Sequence, residues 1–144
     1  MSTAVAAEAL HAAVYGETTV IVSASQRQAS ELFRKAVQLL PLVTIAADGA
    51  LEVNKQSAEV IELSTGGRVL SLPASAATVQ GFTGNVVIDE AAWIPDVESL
   101  WLAIVPTIST NKKFRLSVVS TPGPRAGMFY RLWLQARIWL SLAP

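Results

Sequence analysis

The sequence predicts an α/β domain in which helices layer onto a mainly parallel sheet. Short apolar, β-branched runs at Thr18 to Val22, Val86 to Asp89 and Phe114 to Val119 read as strands covered on both faces. Between them lie segments whose apolar residues recur at the helical period, so strand and helix alternate along the chain. Composition points the same way: 51% of residues are hydrophobic and 15% charged, so much of the chain is interior. The 144 residues fit one domain, and at that size folding buries roughly 70% of the unfolded surface.

Residues 2 to 15 predict an Ala-rich helix with Val5, Ala9 and Ala12 or Ala13 on one face, closed by Gly16. After the strand Thr18 to Val22, Ser23-Ala24-Ser25 turns the chain into a helix from about Gln26 to Leu40. Its apolar stripe is Ala29, Leu32, Phe33, Ala36 and Leu39 or Leu40, and Pro41 is expected to stop it. From Val43 to Leu72 the pattern breaks into short runs with turn signals at Asp48-Gly49, Asn54-Lys55 and Thr65-Gly66-Gly67. Glu59 to Leu63 and Arg68 to Leu72 are then antiparallel strands joined by the Gly66-Gly67 hairpin. Pro73 to Gly84 is small and polar, hence a loop or a short irregular helix. The strand at 86 to 89 follows, then a helix capped by Asp96 and running to about Ile104 with Leu100 and Trp101 on its apolar side. After the strand Phe114 to Val119, Ser120-Thr121-Pro122-Gly123 forms a turn, Met128 to about Ile138 a last helix, and Trp139 to Pro144 a short apolar tail.

Several function classes are excluded at this level. No apolar stretch reaches the roughly 18 to 20 residues that cross a bilayer, and no basic segment precedes an apolar one at the start. There is no cysteine, hence no disulfide, thiolate metal site or cysteine nucleophile. The single histidine, His11, lies in the first helix, far from any acidic cluster, and reads as a surface or satisfied core residue. With a formal net charge of zero the domain does not coat nucleic acid by bulk charge. Lys112, Lys113, Arg115, Arg125, Arg131 and Arg137 cluster late in the chain, as a solvated face or a local phosphate-contacting patch.

Chemistry concentrates at two strand ends. Val86-Val87-Ile88 runs into Asp89-Glu90, and ligands in open α/β sheets sit beyond such carboxyl ends. In P-loop nucleoside triphosphatases one acid there holds Mg²⁺ and its neighbour orients or deprotonates the attacking water. The alternative is a strand followed by a helix start whose dipole favours nearby carboxylates. Leu116-Ser117-Val118-Val119 likewise runs into Ser120-Thr121, whose hydroxyls could meet a phosphate or a water, or simply make a good turn. Both polar tips are expected to face one crevice.

With these motifs the chain resembles the ATPase domain of phage terminase large subunits, over about residues 2 to 133. Val86 to Trp93 resembles the Walker B strand, which implies Asp89 as the Mg²⁺ acid and Glu90 as the catalytic acid. Ser117 to Gly123 resembles the coupling motif and assigns Ser120 and Thr121 to it as nucleotide-contacting residues. Ser23 to Ala29 resembles the segment after the second strand, and Gly67 to Gly84 the stretch before Walker B. No run matches G-x-x-x-x-G-K-[ST]. The resemblance therefore implies a start inside that loop, with Ser2 and Thr3 as its end, Ser2 reaching Mg²⁺, and Ala4 to Tyr15 the helix that follows.

The fold implied is a P-loop NTPase core of the RecA/ASCE type, in three layers, with a mainly parallel sheet plus an antiparallel hairpin and its central Walker A strand missing. That strand would sit beside the one ending at Ser120-Thr121, leaving an apolar edge. Residues 1–144 are then a partial ATPase domain, expected not to hydrolyse ATP at a useful rate without the loop, and without the family's nuclease domain. Also implied are ATP and Mg²⁺ as cofactors; double-stranded DNA, a small terminase subunit, a portal protein and copies of itself in a ring as partners; no membrane; and the bacterial host cytoplasm. Where many relatives carry an arginine finger this chain has Gln80, for which Arg68 or Arg125 could substitute. A helicase-like P-loop ATPase and a non-catalytic remnant are the rival readings.

Overall fold

The computed structural model describes residues 2–142, with side chains from 3 to 135. Met1, the expected truncation point, the Ser2 side chain, the Arg137 side chain and the last two residues of the expected tail lie outside the described residues. Helix α1 (Ser2–Val14) leads into β1 (Thr18–Ser23) and α2 (Gln26–Ala46). The hairpin strands β2 (Val53–Gln56), β3 (Val60–Leu63) and β4 (Arg68–Pro73) follow, then α3 (Ala76–Val79) and β5 (Asn85–Asp89). A 3₁₀ turn at Ala91–Trp93, α4 (Val97–Ser109), β6 (Leu116–Val119) and α5 (Gly127–Leu142) complete the order.

Among the described residues the strands form one sheet in the order β2-β3-β4-β1-β5-β6. Strands β4, β1, β5 and β6 are mutually parallel, while β2 and β3 are joined antiparallel at the β4 side. Alternate residues of the β-branched strands supply two cores, as a sheet covered on both faces requires. Ile21, Val69 and Val87 pack beneath α1 and α2 with Ala6, Leu10, Leu32 and Phe33. Val20, Val22, Val86 and Ile88 pack on the other face with Val79 of α3 and Leu100 and Ile104 of α4. The three-layer core and hairpin expected from the sequence are therefore present.

Small residues let α1 lie close. Ala6, Ala9 and Ala13 are almost wholly buried, and the helix stops at Gly16, whose φ of 81° is the left-handed conformation a C-terminal glycine supplies. The Ala13 carbonyl, left over at the helix end, accepts from the Gly16 N–H at 3.0 Å and from the Thr65 hydroxyl at 2.6 Å. The β3–β4 turn is thereby seated on the end of α1, and Gly67 is where it comes closest. A Cβ on Gly67 would stand 1.9 Å from the Ala13 carbonyl oxygen.

Three local expectations are corrected. Pro41 does not end α2, which continues to Ala46, and α4 runs through Pro106 to Ser109 instead of stopping near Ile104. In both helices the apolar stripe continues past the proline, through Leu40 and Val43 in α2 and Ile104 and Ile108 in α4, and that burial outweighs the lost N–H bond. Asn54-Lys55 lies inside β2 instead of forming a turn. This is an exposed edge strand with a register shift between Val53 and Lys55, a place where polar and charged residues are tolerated. Finally, β6 is shorter than expected and only half-buried, with β5 as its one neighbour among the described residues. Trp139 to Leu142 belong to α5, not to a tail.

Gly67→Ala is expected to destabilise the domain by about 2 kcal/mol or more, because the methyl meets backbone that cannot rotate away. A thermal melt that matches the parent would contradict the close seating of the hairpin on α1.

Candidate functional site at the carboxyl ends of β1, β5 and β6

Register delivers the polar tips to one rim. Ser23 pairs across from Asp89, and Asp89 from Val119, so the carboxyl ends of β1, β5 and β6 terminate level with one another. The cleft there has a volume of about 280 Å³ and is lined by Asp89, Glu90, Ser120 and Thr121 together with Gln28, Glu31, Leu32 and Lys35 of α2. The acid pair and the hydroxyl pair thus share a pocket, as the strand pattern requires.

Glu90 reaches its position through an uncommon backbone. Its φ of 54° and ψ of 41° are left-handed, a conformation that costs a non-glycine residue of order 1 kcal/mol. The chain turns there from β5 into the 3₁₀ turn, closed by the Trp93 N–H donating to the Glu90 carbonyl at 2.9 Å. The Glu90 carboxylate Oε2 accepts two bonds from Thr121, from the backbone N–H at 3.2 Å and from the hydroxyl at 2.8 Å. Ser120 Oγ accepts from the Ala92 N–H at 3.1 Å and donates to the Thr121 carbonyl at 2.9 Å. Gly123 completes the lock: a Cβ on it would lie 2.6 Å from the Ala92 methyl.

Burial, and secondly the neighbouring Glu90 charge, push the Asp89 carboxyl above the usual carboxylate range. The Glu90 backbone N–H and the Lys35 ammonium pull it down, and they lose. Lys35, Glu31 and Gln28 were not identified from sequence. The signal was available: Gln28, Glu31 and Lys35 recur at i, i+3 and i+7 on one flank of α2, directly after a strand that ends at the site. Ser25 holds the start of that helix, accepting the Gln28 N–H at 3.3 Å while donating to Gln28 Oε1 at 3.2 Å.

Other candidates fall elsewhere. Thr3 is exposed near the start of α1 and is not among the residues lining the cleft; the Ser2 side chain lies outside the described residues. Since α1 ends beside the amino end of β1, its start points toward the carboxyl ends of the sheet, the side on which Asp89 lies. Arg68 sits at the amino end of β4, with its N–H on the Glu17 carbonyl at 3.1 Å, at the opposite end from the acids. Arg125 is at the correct end, in a neighbouring cleft lined by Ser120, Phe129, Tyr130 and Trp133. Gln80 caps α3 and is exposed. His11 stacks at a tilt on Tyr15 with centroids 4.9 Å apart, beside a cavity lined by Glu17, Asn85 and Arg115 at the amino ends. The late basic residues do not form one patch: Arg131 pairs with Glu98, Arg115 lines that amino-end cavity, and Arg125 lies at the carboxyl ends.

Comparison with known proteins agrees with this architecture. Residues 2–137 match the family model described as terminase large subunit, T4likevirus-type, N-terminal. The chain is 29% identical over 127 residues to the probable terminase, ATPase subunit, of Haemophilus phage HP1, covering 88% of this chain and 19% of that protein. The large terminase ATPase domain of Thermus phage P74-26 superposes with a TM-score of 0.73 at 26% identity, over 92% of this chain and 59% of that one. The large terminase of bacteriophage HK97 shares the fold, with a TM-score of 0.67 at 18% identity over 97% of this chain and 31% of that one. The chain thus spans about a fifth of the HP1 protein and under two thirds of the Thermus phage domain. With a family model matched along nearly its whole length, on the fold and cleft described above, the chain belongs to the N-terminal domain family of phage terminase large subunits.

Proposed function

We propose that this chain is ATPase core of a DNA-packaging terminase large subunit, whose ATP hydrolysis drives double-stranded DNA into procapsids. The observation that carries the reading is the Glu90 carboxylate, held by the N–H and O–H of Thr121 at the mouth of the cleft that Asp89 also lines. An acid fixed by the neighbouring strand, rather than left to swing, is what orienting an attacking water demands.

Asp89, with a hydroxyl such as Ser2 from the α1 end, would hold Mg²⁺. The donor set suits it: Mg²⁺ takes oxygen ligands, usually one or two carboxylates plus phosphate oxygens and waters. Among the described residues no cluster of three His, Cys, Asp or Glu forms a dedicated cage, which fits an ion that arrives with phosphates. Bound there, the ion would neutralise charge on the transferring phosphoryl group. Glu90 orients the water and accepts its proton. Ser120 and Thr121 lie where the terminal phosphate or that water would be, and Thr3 at the α1 start toward the other phosphates. Because Thr121 bonds Glu90 and continues directly from β6, a change at the phosphate is felt by the strand and by the segment leading to α5. Arg125 is the better placed of the two candidate fingers, being at the site's end of the sheet.

No glycine-lysine phosphate loop occurs in these 144 residues. Turnover is therefore proposed for the protein in which such a loop precedes α1, and the chain without it would lack the N–H cradle that holds the phosphates. The partners proposed with this function are duplex DNA, a small terminase subunit, a portal ring and further copies of the protein, in the host cytoplasm. Among the described residues no helix is long and apolar enough to cross a membrane.

In the full-length protein Glu90→Gln keeps an acceptor for Thr121 but cannot take the proton, so kcat is expected to fall by about 10²- to 10⁴-fold with little change in nucleotide affinity. Steady-state ATPase assays with bound-nucleotide titration read both; turnover near the parent rate rejects the assignment.

Asp89→Asn is expected to do the reverse for stability. A carboxyl whose folded value is raised favours the folded state most when protonated, and that contribution is lost as pH climbs through the raised value. Removing the charge should therefore raise the neutral-pH melting temperature by about a few degrees, with the gain vanishing below about pH 4. A lower neutral-pH melting temperature would show that Lys35 outweighs burial and Glu90.

A further inference from the structure

We propose that Trp93 is a positioning residue for Glu90, acting through the Thr121 hydroxyl; this rests on the reading of Glu90 as the acid that handles the attacking water. The Trp93 indole Nε1–H donates to Thr121 Oγ1 at 3.1 Å, and that same oxygen lies 2.8 Å from Glu90 Oε2. An indole N–H can only donate, and a hydroxyl owns one proton. With Trp93 donating into the oxygen, the Thr121 proton is committed to the carboxylate. Remove the indole N–H and the hydroxyl is free to rotate between the carboxylate and solvent, because Thr121 is exposed.

Burial does not account for this tryptophan. Its residue is 53% exposed and belongs to neither core cluster, so a large ring is kept at the surface with its polar atom aimed at the site. The local backbone places it there: the 3₁₀ turn that follows left-handed Glu90 brings residue 93 back beside residue 90, and the Trp93 N–H closes that turn on the Glu90 carbonyl. Sequence separation makes the arrangement economical. Glu90 and Trp93 share one turn, whereas Thr121 comes from the next strand, so the indole bond also clamps the β5 turn to the β6 tip. Two donors from Thr121 then converge on one carboxylate oxygen, which fixes the rotation of the group and so the direction in which it meets a water.

The test uses the full-length protein. Trp93→Phe keeps an aromatic ring and removes only the donor; kcat is expected to fall about three- to tenfold while KM for ATP changes by less than about twofold. Thr121→Val should lose at least as much, and Thr121→Ser, which keeps the hydroxyl, should recover most of it. The double variant Trp93→Phe, Thr121→Val should be no slower than Thr121→Val alone, since the route is already cut. Independently of turnover, the Trp93 indole ¹H–¹⁵N signal should move in Thr121→Val and not in Thr121→Ser, a readout that survives even where Trp93→Phe folds poorly. Parent-like kcat in Trp93→Phe, additive losses in the double variant, or an indole signal indifferent to Thr121→Val would each overturn the proposal. Activity retained in Glu90→Gln would instead remove the reading beneath it, so the two failures are distinguishable.

Discussion

The register between β5 and β6 is the constraint on which the site depends. Asp89 stands across from Val119, so the next residue of each strand enters the rim together, and Glu90 meets Thr121 instead of solvent. A slip by one residue would turn every side chain of β6 to the wrong layer. Both layers oppose the slip: Val86, Ile88 and Val118 belong to the core under α3 and α4, while Val87 and Val119 face the one under α1 and α2. The apolar runs that fold the sheet are thus the same residues that aim its chemistry. Neighbouring β1 adds Ser23 at the level of Asp89 and starts α2, whose first turns carry Gln28, Glu31 and Lys35 into the cleft.

Much of this was legible because it rests on strong local signals. Continuous β-branched runs marked β1 and β5, Gly66-Gly67 marked the hairpin, and Asp89-Glu90 with Ser120-Thr121 marked the site. What was missed depends on tertiary context. Pro41 and Pro106 read as helix stops because the sequence displays a missing N–H but not the core that rewards continuing. Asn54-Lys55 read as a turn because the solvent exposure of an edge strand is invisible in composition. The Trp93 bond to Thr121 spans 28 positions and exists only once two loops have docked. Nor does sequence pattern reveal that Arg68 and Arg125 occupy opposite ends of the sheet, since that follows from strand direction and pairing.

The site is also where the fold departs from its own stability rules. Elsewhere the strands bury only apolar or hydrogen-bonded residues, yet at the rim a half-buried Asp89 lies beside a second carboxylate, and Glu90 holds a left-handed backbone. Neither feature helps the domain stay folded. Each is over-determined by its surroundings: β5 is clamped between β1 and β6, and Glu90 is held by two bonds from Thr121 and by the 3₁₀ turn behind it. The free energy stored in the acid pair is released by whatever neutralises it, and a ligand bearing positive charge binds more tightly by the amount of repulsion and desolvation it relieves. A pair of carboxylates kept apart by α2 cations, or solvated on a helix start, would have no such reserve. The unfavourable ionisation of Asp89 and the strained geometry of Glu90 therefore argue together for a binding site, and against the reading of the two acids as a helix cap: Glu90 makes no side-chain capping bond to the 3₁₀ turn that follows it.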